Sequence, residues 1–178
     1  MAEGKDEPCQ PEVTVTSLRI EPEESEDVAA PVAVTVGFQP SEPIEHAVWL
    51  MELLVDSVTS AGASRHLLPL GCCYVSDAKA GTELHCRVEG HHMQAEGIPL
   101  SDLSSTCMLR LSLLPLSSSL DSLSSLQGDS DSKGADRDLA TASKLAPSLP
   151  SLVVVNMVVD IEEAEPGKVQ RVIYNPME

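Results

Sequence analysis

Short runs of β-branched and apolar residues, separated by polar turns, carry most of the chain's apolar content. The clearest run follows Pro31, where Val32, Val34, Val36 and Phe38 alternate with small or polar residues. A period of two gives a strand one apolar face and one solvent face. Aromatic residues make up only 2% of the 178 residues, so the core must be built from aliphatic side chains.

Further runs of strand length recur along the chain, and two of them carry a local irregularity. They are Val13–Ile20, with an irregularity midway, His66–Val75, Thr82–Val88, Thr106–Leu114, Leu152–Ile161 and Lys168–Tyr174. Pro69 has no amide hydrogen to donate, so its run should be a bulged or edge strand. Ala47–Val55 is ambiguous, because its Leu, Met and Glu residues favour helix while alternate positions form one apolar face.

Seven or eight short strands without a long amphipathic helix predict an all-β antiparallel sandwich. A chain of 178 residues suits one such domain. We predict a disordered acidic arm over residues 1–12 and a sandwich over residues 13–176. The acidic segment Glu21–Asp27 should be an exposed loop, and the Ser/Asp-rich residues 117–149 a long mobile insertion. The spaced leucines Leu120, Leu123 and Leu126 are compatible with a transient helix there.

The charge balance excludes one class of partner. Eleven basic and 28 acidic residues give a net charge of −17, which repels nucleic-acid phosphates. An acidic surface suits a cationic protein partner, although surplus acid also maintains solubility. The sequence has no apolar run of about 18 residues, so no membrane span is expected. Five cysteines without a CxxC spacing favour a reducing compartment.

Catalytic and metal-binding patterns are weak. His91 and His92 are adjacent, as are Cys72 and Cys73, and neighbouring side chains on a strand point to opposite faces. No GxSxG elbow or glycine-rich phosphate loop occurs. We therefore expect neither an enzyme nor a bound metal or cofactor, and we look for function in a surface.

One strand points to such a surface. Along Thr106–Leu114, the residues Cys107, Leu109 and Leu111 share a face, which leaves Met108 and Arg110 on the other. A methionine beside an arginine is unusual for a solvated face. This pair is typical of a contact surface, with an ordinary exposed methionine as the alternative.

Several segments, in order, resemble the anti-silencing family of histone chaperones. VTVTSLRI and VAVTVGF resemble its first two strands, and Glu45-HAV-Trp49-LMELLVDS resembles its acidic turn and following strand. AGTELHCRVEG resembles its Ala-Gly turn, and GIPLSDLSSTCMLRLS its Ile-Pro motif with a following Asp. VVVNMVVDIE and KVQRVIYN resemble its last two strands. The resemblance favours a strand for Ala47–Val55.

The resemblance implies an immunoglobulin-like sandwich that binds the heterodimer of histone three and histone four during nucleosome assembly and disassembly. It implies that this chain is a monomer and is found in the nucleus, with the cytoplasm as a second compartment. The candidate histone-binding residues are Asp102, Met108, Arg110, Val154, Lys168, Gln170 and Arg171, with Arg110 included because it shares the outward face of Met108. Lys168, Gln170 and Arg171 belong to a closing strand where the histone four tail adds. Glu45 and His46 fall where the family binds chromatin-assembly factors through two acids. Val154 stands where the family has a basic residue.

A second hypothesis belongs to another class. The chain would then be an acidic β-sandwich adaptor that binds a non-histone peptide in trafficking or cilia, with its acidity serving solubility. Both hypotheses place function in a protein-binding surface.

Overall fold

The strands and helices are those of a computed structural model, which describes residues 10–59, 62–91, 93, 107–116, 132–166 and 168–178. The strands in these ranges are β1 (Val13–Glu21), β2 (Glu24–Ser25), β3 (Ala33–Pro40), β4 (Ile44–Thr59), β5 (Gly62–Ala78), β6 (Leu84–Glu89), β7 (Cys107–Pro115), β8 (Val153–Glu165) and β9 (Lys168–Tyr174). Helix α1 spans Ser132–Leu145 and leads into a 3-10 turn at Ala146–Ser148.

The strands form two antiparallel sheets. The small sheet has the order β1-β3-β6, and the large sheet has the order β2-β9-β8-β7-β4-β5. Strands β5 and β6 are edge strands of different sheets, and they lie close together: the His91 amide, just after β6, donates to the Leu70 carbonyl of β5 at 2.8 Å. The prediction of an all-β sandwich is confirmed.

The core fills the space between the inner faces of the two sheets. The alternating residues Val32, Val34, Val36 and Phe38 are at most 1% exposed, as their period of two predicts. Phe38 meets the edge of Trp49 with ring centroids 5.4 Å apart and planes at 74°. Because Phe38 lies on β3 and Trp49 on β4, this contact joins the two sheets through the largest rings of the core.

The ambiguous segment Ala47–Val55 is a strand inside β4, and alternate residues from Ala47 to Val55 are buried on its inner face. The two predicted irregularities are also present. Strand β1 has a register shift between Val15 and Ser17. Strand β5 is an edge strand whose pairing with β4 shifts beside Pro69.

Two segments differ from the sequence prediction. Glu21–Asp27 is not only a loop, because Glu24 and Ser25 form β2 and pair with Val172 and Arg171 of β9. Residues 132–149 were predicted as part of a mobile loop, and this was wrong.

Helix α1 docks on the large sheet, and its own sequence explains why. Leu139 and Ala142 lie one turn apart and are buried against the sheet. Lys144 lies in the last turn, where a positive charge favours the helix dipole, and the Ser148 hydroxyl donates to the Leu145 carbonyl at 2.8 Å. The Ser/Asp-rich composition of the whole segment concealed this local amphipathic pattern.

Residues 1–9 of the predicted arm and 117–131 of the predicted insertion lie outside the described residues. No helix in the described ranges is long and apolar enough to cross a bilayer.

Candidate protein-binding face

The large sheet has one face toward the core and one face away from it, and β7 shows the division clearly. Cys107, Leu109 and Leu111 are at most 1% exposed on the inner side. Met108 and Arg110 lie on the outer side and are half-buried. The predicted assignment of faces on this strand is confirmed.

An apolar row crosses five strands of this outer face. Leu54 of β4 pairs with Leu67 of β5 and with Met108 of β7, and Met108 pairs with Val158 of β8. Val158 in turn pairs with Tyr174 of β9. Directly paired residues in antiparallel strands point to the same face, with Cβ atoms about 4.5–5.5 Å apart. These five residues, which we name the apolar row, therefore form a continuous line about 19 Å long.

The apolar row is unusually open. Leu67, Val158 and Tyr174 are 46%, 46% and 47% exposed, and Leu54 and Met108 are half-buried. A contiguous line of large apolar side chains facing solvent is a frequent mark of a protein-binding site.

A polar pair borders the row. Glu52 of β4 pairs directly with Arg110 of β7, two residues along each strand from the pair of Leu54 and Met108. Glu52 is buried, and desolvation raises the pKa of its carboxyl, while the charge of Arg110 acts in the opposite direction. Arg110 donates from Nε to the Ser112 hydroxyl at 3.1 Å. The row thus has charged groups along one side, which suits a partner with both apolar and polar contacts.

Helix α1 covers the next part of the same face. Leu139 and Ala142 pack against Val48, Leu50 and Leu114 of the large sheet. The part of the outer face nearest the helix is therefore buried by the chain itself, and the apolar row remains open beside it.

Val154 belongs to the same face as Met108 and Arg110. It is 39% exposed on β8 and pairs with Ser112 of β7. The fold therefore brings together Met108, Arg110 and Val154, three of the residues predicted to contact a partner. Asp102 lies outside the described residues.

The predicted site on β9 is only partly open. Lys168 is exposed and forms an ion pair with Glu165 at 2.8 Å, and Gln170 is half-buried. Strand β2 covers β9 from Arg171 onward, and the Ile173 amide donates to the Glu23 carbonyl at 2.8 Å. Among the described residues, Lys168–Gln170 have no paired strand on the side away from β8.

The Arg171 side chain, predicted among the histone-binding residues of the closing strand, is not on the surface. It is fully buried, and Nη1 donates to the carbonyls of Val28 and Ala30 at 3.3 and 2.5 Å. Burial lowers the pKa of the guanidinium. Its Nε and Nη2 have no hydrogen-bond partner among the described residues. Adjacent strand residues face opposite sides, so Gln170 and Arg171 cannot both point outward.

The two residues predicted to bind assembly partners lie at the start of β4 and differ in their exposure to solvent. Glu45 is exposed. His46 is half-buried, stacks on Tyr74 with ring centroids 5.9 Å apart, and is hydrogen-bonded to the tyrosine hydroxyl through Nδ1. The imidazole is therefore engaged within the sheet, and only Glu45 presents a carboxylate to solvent.

Most of the apolar row was missed by sequence reasoning. Leu54, Leu67, Val158 and Tyr174 lie on four different strands, and the register that aligns them is not readable from the sequence. A local signal did exist, because Leu54 and Val158 break the alternation of β4 and β8 by placing apolar side chains on the second face.

The described residues contain no group of three or more His, Cys, Asp or Glu side chains placed to share a metal ion. His92, of the adjacent histidine pair, lies outside them. No protein-family model and no curated protein sequence matches the chain.

Proposed function

We propose that this protein is a nuclear histone chaperone that binds the heterodimer of histone three and histone four. The observation that carries the proposal is the apolar row centred on Met108, with Arg110 and Val154 on the same face. The resemblance to the anti-silencing family implies Met108, strand alternation places Arg110 on the same face, and Val154 stands where that family has a basic residue. Their convergence on one exposed face supports the proposal.

The geometry of the row favours a helical partner. Neighbouring strands are about 4.8 Å apart, and successive turns of an α-helix are about 5.4 Å apart. A helix lying across the strands would therefore place one apolar side chain per turn near each residue of the row. Histones are helical and basic, and both properties suit this face.

The charge of the chain supports a basic partner. A net charge of −17 attracts cationic proteins and repels DNA phosphates. Covering the apolar face of the histone dimer would prevent two dimers from meeting, while the acidic surface competes with DNA for histone cations.

We propose that only a short segment of histone four adds as a strand to β9. An uncovered part of the β9 edge spans Lys168–Gln170, and Glu165 and Glu26 lie beside it around an open groove of about 470 Å³. A short basic segment could pair there without displacing β2. A longer strand would have to replace β2.

The test is calorimetric titration of the purified histone dimer into the full chain and into the Met108→Arg variant. An interface anchor contributes about 2 kcal/mol or more, so the variant should bind at least about 30-fold more weakly. The matched control is Thr14→Arg, which adds the same charge on an exposed position of the small sheet. That control should bind like the wild type.

Equal affinity of both variants and wild type would remove the apolar row from the interface. If Met108→Arg does not fold, Val158→Arg replaces it, because that side chain is 46% exposed and its change leaves the core intact. Binding of a basic non-histone peptide without any binding of the histone dimer would favour the adaptor hypothesis instead.

A further inference from the structure

Two cysteines meet at the adjacent edges of the two sheets. Cys73 of β5 is paired with Trp49, and Cys86 of β6 is paired with Val36. Both pairing partners point into the core, so Cys73 and Cys86 face each other between the sheets. The two side chains are close enough for each thiol to shift the pKa of the other.

The backbone brings β5 and β6 close together near this pair. A Cβ added at Gly71 would lie 2.1 Å from the Glu89 carbonyl oxygen, so only glycine allows this approach. The hydrogen bond from the His91 amide to the Leu70 carbonyl fixes the two segments at the same point. These contacts hold the two strands together beside the cysteine pair, and such proximity is what a bond between the thiols requires.

A small oxidant can reach Cys73. Both thiols are half-buried, and an open cleft of about 380 Å³ is lined by Cys72 and Cys73 together with Arg87, Glu89 and His91. The hydrogen bond from Cys86 lowers the pKa of Cys73, and the same bond raises the pKa of Cys86. By contrast, Cys107 is fully buried, and desolvation raises its pKa to about 11. The thiolate is the reactive form, so these environments rank Cys73 above Cys107 in reactivity.

We propose that Cys73 and Cys86 are a peroxide-oxidisable pair whose disulfide links the two sheets. The Cys73 thiolate attacks one oxygen of hydrogen peroxide, the O–O bond breaks, and the released hydroxide takes up a proton to become water. The sulfur of Cys86 then attacks the sulfenic sulfur of Cys73, the S–O bond breaks, and a second water leaves with the thiol proton. In total, two thiols lose two electrons and one peroxide is reduced to two waters.

The test uses the full chain treated with hydrogen peroxide, alkylated, and mapped by peptide mass spectrometry. The expected product is an intramolecular Cys73–Cys86 disulfide, about 2 Da lighter than the reduced pair. Its formation should raise Tm by about 5–10 °C, reversibly with dithiothreitol, because the bond constrains the unfolded chain. Cys72→Ser is the matched control and should form the same bond, since Cys72 faces the opposite side of β5. Cys86→Ser should instead accumulate a sulfenic acid at Cys73 that dimedone traps.

A disulfide from Cys86 to any other cysteine, or only intermolecular crosslinks, would overturn the proposal. So would oxidation of Cys107 while Cys73 and Cys86 stay reduced. The mapping is done on the wild-type chain, so it remains decisive even if a variant fails to fold. The outcome is independent of histone binding.

Discussion

Helix α1 should stabilise the sandwich. Two substitutions that each introduce a carboxylate, at neighbouring positions of the helix, test this. Leu139 is buried against the large sheet, while Ala140 is exposed on the same helix. An isolated helix of this length is marginal in water, so α1 depends on its docking contacts. Leu139→Asp should therefore release the helix and expose Val48, Leu50 and Leu114, which are at most 2% exposed.

The magnitude follows from the buried side chains. Full burial of a Leu or Val contributes about 1.5–3 kcal/mol. The loss of folding free energy in the variant is limited, because no further contact of the helix can be lost once the helix is released. We expect Leu139→Asp to lower the free energy of unfolding by about 2–4 kcal/mol, or Tm by about 5–12 °C. The variant should also bind the hydrophobic dye ANS more strongly.

Ala140→Asp introduces the same carboxylate and should change the free energy of unfolding by about 0.5 kcal/mol or less. Both values come from chemical denaturation followed by tryptophan fluorescence, which reports on Trp49. Equal stability of the two variants would show that α1 does not dock, and that residues 132–149 behave as the mobile loop that their composition suggests.

Three further comparisons use chemical denaturation. Leu109→Ala should cost about 2–5 kcal/mol because it leaves a core cavity, while Met108→Ala on the outer face should cost less than about 1 kcal/mol. Arg171→Ala should cost about 3 kcal/mol, because it leaves the half-buried carbonyls of Val28 and Ala30 without this donor, and Lys168→Ala on the same strand about 0.5 kcal/mol or less. The raised pKa of Glu52 means that the folded state holds its proton more tightly than the unfolded state. Wild type should therefore lose stability relative to Glu52→Gln as the pH rises above the ordinary carboxyl pKa of about 4.3, and parallel curves would contradict this.

Local periodicity was sufficient to predict most of the sandwich. The alternation after Pro31 placed Val32 to Phe38 in the core, and the same rule separated Met108 from Leu109 on β7. These features depend only on neighbouring residues, because a strand exposes alternate side chains to opposite faces.

Features that depend on contacts between distant segments were missed. Strand β2 has two residues and exists only because β9 lies beside it. The buried guanidinium of Arg171 needs the carbonyls of Val28 and Ala30, which are far away in the sequence. The alternation of β9 did contain one clue, since Arg171 shares a face with the buried Ile173.

The alignment of the apolar row likewise depends on the register between strands. Leu54 and Met108 are brought together by the pairing of β4 with β7, and no local pattern encodes that pairing. The resemblance to the histone chaperones identified Met108 without its neighbours. The sequence could therefore indicate Met108, Arg110 and Val154 on this face, but not the extent of the apolar row.

Salt dependence of histone binding separates a shaped interface from attraction between opposite charges. Above physiological ionic strength the Debye length shrinks from about 8 Å toward about 3 Å, so contacts between exposed charges weaken strongly. Apolar burial at the row is not screened by salt. The deciding measurement is the affinity and stoichiometry of the full chain for the purified dimer of histone three and histone four across this range. We predict a one-to-one complex that persists near 1 M salt, with little affinity for naked DNA. Binding that disappears by about 0.5 M salt, or that is equally strong for polylysine, would contradict a specific histone chaperone.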